Sequence, residues 1–200
     1  MRHYTLAANL LFLACQATAG EVPSLCANAE QSASVRALYA TSPAPPTFMA
    51  ARKLGMSEAI VASALEGKQT VGTSGAGFAE IWASLGDWGK STVVIQKGGQ
   101  VFEVHGPVPA GAPSTKSQFF NLEAEVAGLG GHLRPDLMGA IYAVDIVSAQ
   151  GPVRGVTFLD AAGDGLFGVY LPEGVEPTPE QLARFEKTRA VINSMARACN

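Results

Sequence analysis

The chain has 200 residues, 48% hydrophobic and 16% charged, enough apolar material for one sizeable core and too ordered a composition for a disordered polypeptide. Its 14 basic and 17 acidic side chains leave a formal charge of -3, so it carries no electrostatic footprint for a phosphate backbone, and nucleic acid is not expected as a partner.

Residues 1–19 have the anatomy of an export signal: Arg2 and His3 precede an apolar run from Leu6 to Ala14, followed by the small-residue triplet Ala17-Thr18-Ala19. The alternative is a mis-chosen start in front of a cytoplasmic domain. The run is well short of the roughly 20 residues that span a bilayer, and no later stretch does better, so no stable membrane insertion is expected. Cys15 is a weaker match to a lipid-bearing cysteine. Cleavage would leave Cys26 and Cys199 in an oxidising compartment, either paired or as two unrelated thiols.

Residues 20–46 read as an N-terminal segment with a proline-rich linker, and residues 47–200 as one domain. The stretch from Cys26 to Tyr39 is moderately helical, and Ser42-Pro43-Ala44-Pro45-Pro46 stops it. Phe48 to Leu54 predicts a short helix ended by Gly55, and Ser57 caps a second that runs to about Leu65. A helix, glycine, helix unit resembles a DNA reader. The second helix, however, has Glu58 as its only charged residue and nothing to reach a base edge, so the pair is expected to pack against one end of a sheet.

From Ser91 the periodicity turns to strands. Ser91–Gln96 and Gln100–His105 flank the hairpin glycines Gly98-Gly99, and further strands are predicted at Gln118–Glu123, Ala140–Ser148, Val153–Leu159 and Leu166–Leu171. Gly151-Pro152 and Gly163-Asp164-Gly165 serve as turns. The connections are too short for crossover helices, so most neighbouring strands must be antiparallel. Thr178-Pro179-Glu180-Gln181 is a capping box with proline at the first helical position, and Leu182, Phe185, Ile192 and Met195 follow as the core stripe of a last helix.

Without the leader only His105 and His132 remain, with no paired cysteine or histidine spacing, so a closed zinc site is not expected. There is no phosphate loop, nucleophile elbow or calcium loop, and Asp87, Glu103 and Asp145 are not paired as acid and base by any spacing. One imidazole on an apolar sheet is nevertheless enough for haem, whose affinity comes largely from burial of the flat macrocycle. His132 stands in Gly128-Leu129-Gly130-Gly131-His132-Leu133, where glycines permit close approach of a planar ligand; the plainer reading is a turn histidine satisfying local hydrogen bonds.

The order of motifs adds to this. Val35-Arg36-Ala37-Leu38, Ala50-Ala51-Arg52-Lys53-Leu54-Gly55-Met56-Ser57-Glu58, Trp82, Asp87-Trp88-Gly89, Val101 to Gly111, Phe120-Asn121-Leu122, Gly131-His132-Leu133 and the Gly163, Gly165 turn together resemble the ChuX/HutX haem-utilisation family, relatives of the HemS-type haem-handling proteins. The resemblance implies an α+β fold, with one large curved antiparallel sheet, a short N-terminal helical pair and a C-terminal helix. It also implies a homodimer holding haem in a cleft for cytoplasmic storage or delivery. His132 falls on a family histidine tied to haem iron. A second family histidine is replaced here by Gln96, and His105, on the same sheet face as Glu103, is the candidate substitute. The leading expectation is a non-enzymatic haem carrier with His132 as axial ligand and its haem donor and acceptor left open. The alternatives are a haem-degrading enzyme of HemS type and a binding module for another flat apolar molecule or a protein partner.

Overall fold

The computed structural model describes residues 24–41, 43–97, 99–123, 128–172 and 174–199; the expected leader at 1–19 lies outside them. In chain order the elements are α1 (Ala29–Tyr39), α2 (Thr47–Leu54), α3 (Glu58–Ala64), β1 (Thr70–Ser74), α4 (Phe78–Leu85), β2 (Ser91–Lys97), β3 (Gln100–Gly106), β4 (Gly111–Pro113), β5 (Phe120–Leu122), β6 (Gly131–Leu133), β7 (Met138–Ser148), β8 (Gly151–Asp160), β9 (Gly165–Tyr170) and α5 (Pro179–Ser194).

Six strands form one antiparallel sheet in the order β1-β7-β8-β9-β2-β3, as the short connections require. The other three, β4-β5-β6, form a separate small sheet, so the strand expected over Gln118–Glu123 is not part of the large one. β8 begins at Gly151 rather than after Pro152, and the hairpin is closed by Ala149 and Gln150. Pro152 fits a strand here because β9 pairs with β8 only from Gly155 onward, so its missing N–H falls in an overhang with one neighbour.

Strand alternation splits the core into two layers. From β7, Ala140, Tyr142, Val144 and Ile146 meet α1, α2 and α3, with Val35, Ala50, Ala59 and Val61 fully buried among them. Ile141 and Ala143 point the other way and join Val156, Phe158 and Val169 under α4 and α5. The helical pair expected at the sheet's end is thus a three-helix layer lying on one face of the sheet. The α2 and α3 ends are as the sequence predicts: Gly55 takes the left-handed cap at φ 64°, and Ser57 Oγ accepts from the Ile60 amide. Gly163 (φ 85°) turns β8 into β9 directly beneath α3, and its carbonyl accepts the Ala59 N–H at 3.0 Å.

On the opposite face the two tryptophans, both fully buried, find acceptors for their indole N–H groups: Trp82 on the Pro109 carbonyl and Trp88 on Thr188 Oγ1 of α5, each at 3.0 Å. Phe185 and Ile192 lie in this core as the helical stripe predicts. Beyond α5 the tail turns along the edge of β1. Thr73 bridges Arg197, its hydroxyl donates to the Ala196 carbonyl at 2.7 Å, and Cys199 closes a disulfide with Cys26 on the other side of the sheet. The two cysteines left open by the sequence are therefore paired, with Cα atoms 5.6 Å apart.

Candidate functional site

His132 is not in a glycine turn. It sits in the middle of β6, paired across the ladder with Asn121 of β5, while the neighbouring pair Phe120 and Leu133 faces inward. Phe120 is the anchor: 5% exposed, it packs edge-on against Phe78 with ring centroids 5.1 Å apart. With Phe120 and Leu133 inward, the period of two turns Phe119, Asn121, His132 and Arg134 to the outer face.

On that face Asn121 Oδ1 lies 2.8 Å from His132 Nδ1. An amide oxygen only accepts, so Nδ1 carries the proton and the lone pair of Nε2 is left free. The Phe119 ring stands 5.8 Å from the imidazole, and the Arg134 guanidinium lies 5.7 Å over Phe119. Arg134 is held by Gln118 Oε1 and Asp136 Oδ1, each at 2.7 Å. This hydrogen bonding holds the Asp136 carboxyl below its ordinary range, so Asp136 is ionised near neutral pH. A shallow cavity of about 580 Å³ opens beside Phe119, between Phe78, Pro135 and Met138.

Gln96 and His105 are elsewhere. On β2, Val93 packs inward toward α4 and α5, so Thr92, Val94 and Gln96 face the side of the helical layer. Across the hairpin Gln96 is paired with Val101 and Thr92 with His105, which puts His105 four residues along the strand from the position opposite Gln96. The N-terminal helices cover only part of this face. The uncovered remainder is a groove of about 520 Å³, floored by Val94, Val144, Ile146 and Tyr170, walled by the start of α2 and rimmed by Glu103 and His105. The floor is flat because the Tyr170 ring lies across Gly155 and Gly168, where an added Cβ would fall 2.2 and 2.3 Å from ring atoms. His105 Nδ1 contacts Thr92 Oγ1 at 3.1 Å and Nε2 stands 3.5 Å from Glu103.

Within one chain, therefore, Gln96 and His105 come together, while His132 stands on the other side of the large sheet. Asn121, Phe119 and Arg134 were not singled out as neighbours of His132 by the sequence, although alternation through Gln118 to Asn121 and through His132 to Arg134 carries the signal. Among the described residues no group of three or more His, Cys, Asp or Glu side chains could hold a metal ion.

The family model described as haem utilisation ChuX/HutX matches residues 71–188. The chain is 29% identical over 138 residues to the intracellular haem transport protein HutX of Vibrio cholerae, covering 68% of this chain and 70% of that protein. Its fold is similar to that of the haem-binding protein ChuX, with a TM-score of 0.69 and 17% identity over 82% of this chain and 99% of ChuX. It is also similar to the haem-degrading enzyme ChuS of Escherichia coli O157:H7, with a TM-score of 0.63 and 18% identity, but 80% of this chain spans only 46% of ChuS.

Proposed function

Because the chain belongs to the ChuX/HutX haem-utilisation family, we propose that it binds haem as cargo and hands it on, with His132 as the iron ligand. The observation that carries this reading is the hydrogen bond from His132 to Asn121, which fixes the imidazole and leaves Nε2 directed outward as a donor to metal. The flanking groups suit the rest of a porphyrin. Phe119 offers an aromatic face to the macrocycle, and Arg134 offers a cation to a propionate. A single coordinate bond on an open surface also suits release, since little has to be broken for transfer. Gln96 and His105, on the far side of the sheet, would meet this haem only from a second copy.

Carriage rather than ring opening is favoured by the chemistry beside the imidazole. Arg134 keeps Asp136, two residues along the chain, ionised, so Asp136 is not a proton donor near neutral pH. The partner we assign is a second copy of the chain, supported by β3, a free sheet edge with Val101 and Phe102 more than half exposed. The site of action is an oxidising compartment outside the cytoplasm, supported by the leader-like residues 1–19 and the Cys26–Cys199 disulfide, although the Vibrio relative is named as intracellular. Among the described residues no helix is long and apolar enough to cross a membrane.

Titration with ferric haem tests the ligand. The expected result is a saturable Soret band that His132→Ala removes or shifts; an identical spectrum in the variant would discard the assignment. Reductant in the presence of catalase separates carrier from enzyme, since a carrier forms no bile-type pigment. N-terminal sequencing of protein purified from native cell fractions decides the compartment.

A further inference from the structure

The outer edge of the large sheet at β1 is covered by the chain's own end. β1 is an edge strand, yet Thr70, Val71 and Thr73 are all buried. The turn before it closes over Thr70 through Glu66, and the tail beyond α5 closes over Thr73 through Arg197. The noncovalent ties of that tail are weak: the Thr73 bridge with its hydroxyl bond to Ala196, a part-exposed ion pair of 3.7 Å from Arg197 to Glu66, and the small Ala198 side chain against the helical layer. Against them stands the backbone freedom that residues 196–199 give up by lying in place. The disulfide to Cys26 is what tips this balance toward the closed tail.

Of the two cysteines, Cys26 is on the anchored side. The Ala27 N–H donates to Ser63 Oγ at 2.9 Å, and Asn28 and Gln31 form the capping box of α1, whose Val35 is fully buried. Cys199 has instead a hydrogen-bond donor. Tyr142 of β7 is paired with Gly72, and with no side chain there its ring lies across β1, where a Cβ added to Gly72 would fall 2.1 Å from a ring atom. The Tyr142 hydroxyl thereby reaches the tail, 3.7 Å from Cys199 Sγ, and since a disulfide sulfur has no proton the hydroxyl is the donor. Burial raises the Tyr142 pKa, with the charge of Glu66 adding to the rise, so the phenol keeps its proton. A carbonyl flanks each sulfur, Ala198 at 3.6 Å from Cys26 and Leu25 at 3.8 Å from Cys199, so the hydroxyl is what distinguishes them.

We propose that the Cys26–Cys199 bridge is a reversible latch, a site of exchange with dithiol reductants and their disulfides, in which Cys199 is the leaving sulfur, Tyr142 its donor, and the tail from Ala196 onward the part released from β1. In opening, a reductant thiolate attacks Cys26 Sγ. The new sulfur–sulfur bond forms as the Cys26–Cys199 bond breaks, and the electron pair leaves on Cys199, which then takes a proton from water. The reductant's second thiol displaces Cys26, so the reductant ends as a disulfide and the chain as two thiols; closing is the reverse, with an external disulfide as oxidant. The core layers are built without either cysteine, so opening keeps the sheet and bares the backbone edge of β1. The inference does not depend on His132 binding haem.

The test uses the full folded chain, oxidised and after reduction with dithiothreitol. Hydrogen exchange should be faster by about tenfold or more in the reduced chain for peptides from β1 and residues 196–199, with β8 and β9 little changed. The double variant Cys26→Ser, Cys199→Ser should match the reduced chain. Equal protection of β1 in the two states overturns the release of the tail. Attack by glutathione on the oxidised chain, quenched with iodoacetamide and mapped by peptide mass spectrometry, should place glutathione on Cys26 and the alkyl group on Cys199; the opposite order, or an even mixture, overturns the choice of leaving sulfur. Tyr142→Phe, with folding verified by circular dichroism, should slow reduction of the native chain by about fivefold and leave the rate in guanidinium unchanged. Equal native rates, or a slowing that persists in denaturant, overturn the role of the hydroxyl. The mapping of glutathione uses the unaltered chain, so it decides the leaving sulfur even where Tyr142→Phe does not fold.

Discussion

His132 Nδ1 and Asn121 Oδ1 face each other at 2.8 Å across the β5 and β6 ladder, so the orientation of the imidazole is set by the strand opposite. Removing the amide leaves the histidine in place but frees its ring and its tautomer. Asn121→Ala should therefore keep the fold and weaken ferric haem binding by roughly 10- to 100-fold, the usual range for loss of a partner that orients a metal ligand. Soret titration of the variant measures this, and unaltered affinity would show that the hydrogen bond does not serve the iron.

The Cys26–Cys199 bridge closes a loop with a sequence separation of 173. Cys26→Ser with Cys199→Ser, or reduction of the native chain, should lower stability by about 2–5 kcal/mol. Urea denaturation with and without reductant provides the measurement, and coincident curves would mean that the cross-link adds nothing to stability.

Glu58 is buried between α2 and β8, with its carboxyl against the hydroxyls of Thr47 and Thr157. Desolvation raises its pKa above the ordinary value, with Asp164 adding to the rise and the two hydroxyls opposing it. The folded state then holds the proton more tightly than the unfolded one. The stability that protonated Glu58 contributes is full below the unfolded carboxylate pKa, and it is lost as pH rises through the higher folded value. Glu58→Gln should flatten the pH dependence of stability over that window and leave the variant relatively more stable above it. Urea midpoints followed across pH give the comparison, and parallel profiles for both proteins would refute it.

Gly163 combines φ 85° with no room for a side chain, since an added Cβ would come within 2.7 Å of Ser57 Oγ and 2.8 Å of Ala59 Cβ. Gly163→Ala should cost about 1–3 kcal/mol by straining the turn and lifting α3. Thermal unfolding reads this directly; a melting temperature within error of the parent's would contradict the packing described.

Much of the architecture is legible from local pattern because the decisive signals are short-range. The capping box at Thr178 and Gln181, the Gly55 helix stop and the β2 and β3 hairpin each lie within a few residues. β1 and α4 escape such reading. β1 is five residues long with a glycine at its centre, and α4 buries Phe78, Ile81, Trp82 and Leu85 with too few polar positions for a clear stripe. The surroundings of His132 escape it for another reason. Asn121, Phe119 and Arg134 reach it through a strand pairing whose register depends on Phe120 finding Phe78, a contact between residues far apart in the chain. The same long-range packing divides Gln96 and His105 from His132, a division that no spacing in the sequence could reveal.

The tail that runs past Thr73 to reach Cys26 turns most of the polypeptide into a covalent ring. A protease that cuts one exposed connection inside that ring opens it without releasing a piece, so the nicked molecule keeps its mass, plus one water, until a reductant is added. Such a molecule loses the sequence continuity of its backbone at one point while every strand of the sheet stays tethered to its neighbours.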